Sequence, residues 1–127
     1  MEIKMYSTII VPTDFSNEAA TIRSLKKAEY LSDNGRIILL HVLEAVPYLV
    51  SQTRETLAQW IEKSGVKAEV EVRHEGSSHH NIIESAKEHE ASLILINSSK
   101  PEFQDYLLGS TAGKVVGHAQ CSVLVDR

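Results

Sequence analysis

Ser92-Leu93-Ile94-Leu95-Ile96 leads into Asn97-Ser98-Ser99-Lys100-Pro101 and, beyond Leu108, into Gly109-Ser110-Thr111-Ala112-Gly113-Lys114. The apolar run is short and unbroken, which marks a strand buried on both faces. Small polar residues and Pro101 then make a loop, and Gly109-Ser110-Thr111 can open a helix. A strand, a polar loop and a helix start together form a place to hold an anion. The first helical turn carries unpaired N–H groups and the positive end of the helix dipole.

Working outward, Ser7 to Val11 is a second apolar and β-branched run closed by Pro12, and Ile37 to Leu43 is a third. Both read as central strands with parallel neighbours. Val66 to Arg73 alternates apolar and charged residues, the period of an edge strand with one wet face. Ser122 to Val125 supplies a fifth strand. Helices are expected from about Asn17 to Ser32 with Ser16 as N-cap, from Val50 to Ser64, from Ser77 to near Glu90, and from Ser110 to Ala119. Asp33-Asn34-Gly35 is a stop signal able to take positive φ.

Strict βα alternation gives a single-domain α/β fold over 1–127, a five-stranded parallel sheet with helices on both faces. With the alternating strand at an edge and right-handed crossovers, the expected strand order is 3-2-1-4-5. Strands one and four are then neighbours whose helices leave to opposite faces. Ligands bind in the crevice at such a switch point, where the loops Pro12 to Ser16 and Asn97 to Ser110 meet.

Composition narrows the function. Thirteen basic against 17 acidic residues give a net charge of −4, which offers no basic field for nucleic acid. No apolar run approaches the ~18 residues of a membrane span, and Met1 to Met5 does not read as a signal peptide. Cys121 is the single cysteine, so an intramolecular disulfide is excluded and reducing, cytoplasmic surroundings are expected.

Ile9-Ile10-Val11-Pro12-Thr13-Asp14-Phe15-Ser16, Leu40-His41-Val42, Glu75-Gly76-Ser77, Leu107-Leu108-Gly109-Ser110 and His118 to Val125 together resemble the universal stress proteins over nearly the whole chain, nearest the bacterial F/G-type subgroup. The resemblance implies a Rossmann-like fold akin to the adenine nucleotide alpha-hydrolases and a cytoplasmic homodimer acting in the stress response. It also implies a bound adenine nucleotide, ATP or AMP, whose phosphates could carry Mg2+. Asp14 would accept from adenine and the Val42 backbone would read the base edge. An ionised carboxylate, being acceptor-only, suits an exocyclic amine.

Asn97, Lys100, Gly109, Ser110 and Thr111 would hold ribose and phosphates, with Pro12, Thr13, Ile96 and Ser98 completing the nucleotide site. The family's phosphate loop is Gly-x2-Gly-x9-Gly-Ser/Thr. Here Asn97 and Lys100 stand for its first two glycines, and the second interval is one residue short. Asn tolerates left-handed geometry, and Lys100 adds a charge. The alternative is a nucleotide-independent interaction module, dimerising through Val123, Leu124 and Val125 on an uncovered last strand.

Other features carry less. Gly109 to Val115 lacks the spacing and the following Ser/Thr of a P-loop. His79 and His80 diverge by about 100° on a helix and cannot readily share a metal. Cys121 reads as a small core residue, His41 as a core histidine with a hydrogen-bond partner, and Glu69 and Glu71 as a solubility pattern beside Lys67 and Arg73. No matched base, nucleophile and metal set is present, so catalysis beyond slow ATP hydrolysis or self-phosphorylation is not expected.

Overall fold

The computed structural model describes residues 6–44, 49–98 and 109–127. The chain alternates β1 (Thr8–Pro12), α1 (Glu18–Ser32), β2 (Arg36–Leu43), α2 (Val50–Ser64), β3 (Glu69–His74), α3 (Ser78–Glu88), β4 (Leu93–Asn97), α4 (Ser110–His118) and β5 (Ser122–Asp126). All strands are parallel, in the order β3-β2-β1-β4-β5 that the alternation predicts.

Side-chain alternation along the three apolar strands builds two cores, one on each face of the sheet. Ile9, Val11, Ile37, Leu39, Leu93 and Leu95 point towards α1 and α2, where they meet Leu25, Ala28 and Leu57. Ile10, Ile38, Leu40, Val42, Ile94 and Ile96 point the other way, against Ile82 and Ala86 of α3 and Ala112 and Val115 of α4. The unbroken apolar run is therefore the sequence image of a strand that feeds both cores. Because β1 sends its helix to one face and β4 to the other, their carboxyl ends open a crevice.

Element boundaries differ from the sequence expectations where a side chain decides them. Asn17, not Ser16, is the α1 N-cap: its Oδ1 accepts from the Ala20 amide at 2.9 Å. The Ser16 amide is already donated to Asp14 Oδ1, also at 2.9 Å. β3 starts at Glu69, while Val66 is buried in the α1/α2 core ahead of it. Glu71 is more than surface charge. Its half-buried carboxylate accepts from Ser85 and Arg73 and meets His89 Nε2 at 3.3 Å, tying β3 to α3.

β5 runs one residue past Val125 and ends on buried Asp126. That carboxylate accepts from Ser24 Oγ at 2.8 Å and Lys27 Nζ at 2.5 Å. Burial alone would raise its pKa, but Lys27 and Ser24 outweigh burial and hold it below the usual carboxylate range.

Candidate functional site: the crevice between β1 and β4

The crevice has a volume of about 280 Å³, near the lower end for small-molecule sites. One wall is the β1–α1 loop, with Pro12, Thr13 and Asp14. Val42 at the end of β2 lies beside it. The opposite wall is Ile96, Asn97 and Ser98 from β4, with Gly109, Ser110 and Thr111 at the start of α4. Every described residue of the predicted nucleotide site therefore lines one cavity, while Val123, Leu124 and Val125 lie on β5 outside it. Lys100 lies outside the described residues, as do Tyr106, Leu107 and Leu108.

The anion-holding capacity of the crevice comes from α4. Its N-cap, Gly109, has φ −63° and ψ 159° and offers no side-chain acceptor. The first intrahelical bond runs from the Gly113 amide to the Gly109 carbonyl at 2.9 Å. The Ser110, Thr111 and Ala112 amides consequently have no acceptor within the helix and lie at the crevice. The other two helix starts at the crevice are already served. Asn17 caps α1, and at α3 Ser77 Oγ accepts from the His80 amide while Glu44 Oε1 accepts from Ser78 Oγ at 2.6 Å and its amide at 3.2 Å. Those Ser78 bonds, hydroxyl first, hold the exposed Glu44 carboxyl below its ordinary pKa.

Asn97 and Ser98 set the far wall. The Asn97 Nδ2 group donates to Ser24 Oγ at 2.7 Å, so part of this side chain is committed to α1. Ser24 in turn donates to Asp126, which places a polar chain from β4 through α1 to β5 behind the crevice. The Ser98 amide donates to the Asp126 carbonyl at 3.0 Å, and Ser98 Oγ accepts from the Gly109 amide at 2.9 Å. Ser98 thereby fixes where α4 begins. Ser24, Lys27 and Asp126 carry no local sequence signal for this role, since they meet only across the fold.

Of the remaining polar candidates, only His41 reaches the crevice. His41 is half-buried at the crevice, and its Nδ1 meets the Thr13 carbonyl at 2.7 Å, the partner its sequence position calls for. His79 faces His118, with ring centroids 6.3 Å apart, while His80 is exposed. Cys121 is half-buried, and desolvation raises its thiol pKa, which favours the protonated form. Among the described residues no group of three or more His, Cys, Asp or Glu gathers as for a metal, and no helix is long and apolar enough to cross a membrane.

Fold and site together define an open parallel α/β protein with an amide-lined crevice at its topological switch point. The family model for the Universal stress protein family matches residues 5–127, and the chain belongs to that family. It is 31% identical, over a 145-residue alignment, to Universal stress protein G of Escherichia coli O157:H7, covering 97% of this chain and 100% of that protein. Among solved structures it resembles an Archaeoglobus fulgidus universal stress protein in complex with dAMP, with TM-score 0.72, 23% identity and coverage of 97% and 99%. It also resembles a universal stress protein in complex with cAMP, with TM-score 0.75, 20% identity and coverage of 97% and 98%.

Proposed function

We propose that this chain binds an adenine nucleotide, AMP or ATP, in the β1/β4 crevice and serves as a regulatory or sensing protein of the stress response. The observation that carries this reading is the start of α4, uncapped among the described residues, standing across the crevice from Asp14. Amides left unpaired by the helix suit phosphate, and an exposed carboxylate suits the adenine amino group. Val42, at the end of β2, offers backbone groups to the base edge. Asn97, tied back to Ser24, is compatible with a ligand despite replacing a glycine. The dAMP and cAMP complexes of the structural relatives support the same ligand class.

The test is calorimetry with AMP on wild type and Asp14→Ala. A hydrogen bond to a charged acceptor contributes about 1.5–3 kcal/mol. Removing it is therefore expected to weaken AMP roughly 10- to 100-fold. An Asp14→Ala protein that binds AMP as tightly as wild type would contradict the assignment.

The sheet edge supports a second role. β5 has β4 on one side and no described strand on the other, and Leu124 is 40% exposed there. Pairing with the same strand of a second copy, through Val123, Leu124 and Val125, would cover it. Sedimentation velocity at micromolar protein is expected to show a homodimer, and a monomer throughout that range would end this reading.

A further inference from the structure

Phe15, directly after Asp14, has φ 66°, a left-handed conformation that is an outlier for a bulky residue. Glycine would occupy that position without strain. The ring is held on two sides: its centroid lies 4.3 Å from that of His41, tilted at 48°, and 5.1 Å from that of Trp60, edge-on at 81°. His41 is itself anchored. A carbonyl only accepts, so its Nδ1 carries the proton donated to Thr13 O. The backbone on either side of Asp14 is pinned as well. The Phe15 amide donates to Thr13 Oγ1 at 3.2 Å, the Thr13 and Thr21 hydroxyls meet at 2.9 Å, and the Ser16 amide holds Asp14 Oδ1.

We infer that Phe15 is a positioning residue for base recognition: its ring, seated between His41 and Trp60, holds the left-handed turn that presents the Asp14 carboxylate to an adenine amino group. The inference rests on the nucleotide reading above. Backbone strain persists only where the surroundings over-determine it, and such places concentrate at binding sites. Here the surroundings are two aromatic rings from β2 and α2, both distant from Asp14 along the chain. If the turn relaxed, the Ser16 amide would leave Asp14 Oδ1 and the carboxylate would lose its fixed direction. A ring that only filled the core would affect stability and leave ligand choice alone.

The distinguishing experiment compares AMP with purine riboside 5′-monophosphate, which lacks the amino group. Dissociation constants for both are measured on wild type, Phe15→Ala, Asp14→Ala and the double variant, with thermal melts alongside. Alanine removes the ring but keeps the Cβ that disfavours positive φ, so the turn loses its support without being relieved of its strain. Wild type is expected to favour AMP about tenfold, the effect of one such hydrogen bond. Phe15→Ala is expected to bring the preference close to one, and the double variant to be no worse than Asp14→Ala, because both changes remove the same contact. A Phe15→Ala protein with a lowered Tm and an intact preference overturns the inference while leaving the nucleotide reading standing. Wild type that binds neither nucleotide overturns both. Should Phe15→Ala not fold, Trp60→Ala removes one wall of the ring's slot, and an unchanged preference there is equally contrary.

Discussion

Gly109→Asp is expected to abolish nucleotide binding, by about 100-fold or more, without lowering Tm. Its φ of −63° and ψ of 159° are open to any residue, so the substitution introduces no backbone strain. An aspartate at an N-cap turns its carboxylate onto the amides of the first turn, as Asn17 does for Ala20 in α1. It would consume the donors that face the crevice and put a negative charge where a phosphate belongs. Losing one or two charge-assisted bonds of about 1.5–3 kcal/mol each accounts for the expected factor. The helix itself gains a few tenths of a kcal/mol from the cap, so melting and binding move in opposite senses. Gly109→Ala, which adds no acceptor, is the control and is expected to keep affinity within about threefold. Calorimetry and thermal melts on the pair decide it, and Gly109→Asp binding like wild type would remove α4 from the site.

Gly35→Ala is expected to be the costliest small substitution in the fold. A Cβ there would lie 2.5 Å from the Ser7 carbonyl oxygen and 3.0 Å from that of Ser32, both backbone atoms that cannot swing aside. The Ser7 carbonyl also accepts from the Arg36 amide at 2.8 Å, which starts the pairing of β2 with β1. Forcing the two apart costs roughly 2–3 kcal/mol as overpacking. For a chain of this size that is a fall in Tm of about 10 °C. A melt within 2–3 °C of wild type, inside the usual range for a surface change, would show that the start of β2 yields more easily than its contacts imply.

The same turn shows what sequence conveys and what it hides. Asp33-Asn34-Gly35 reads as a helix stop with positive φ. The stop is there, but Asp33 at 49° and Asn34 at 67° supply the left-handed residues, while Gly35 is needed for close approach to Ser7. The strands were readable because β1, β2 and β4 each feed both cores, which leaves His41 of β2 as the one polar side chain within their apolar runs. β3 was readable from its alternation: Val70 and Val72 pack inward beneath α2, while Glu69 is exposed and Glu71, on the same face, is half-buried against α3.

In the site, the residues that line the crevice sit at strand ends and helix starts, places that βα alternation locates by itself. What stands behind them is not local. Asn97, Ser24, Lys27 and Asp126 join three elements through hydrogen bonds spanning 73 to 102 residues of chain. Nothing in the spacing of a serine, a lysine and a terminal aspartate announces that meeting. Phe15 is similar: its identity suggests core, and only its φ and its two ring neighbours reveal a turn held against its own preference.

The most direct measurement is a titration of nitrogen-15-labelled wild-type protein with AMP, followed by amide chemical shifts. The account predicts saturable shifts concentrated at Ser110, Thr111 and Ala112, with a second group at Asp14 and Val42. Saturable shifts centred elsewhere, or none at millimolar AMP, would contradict it.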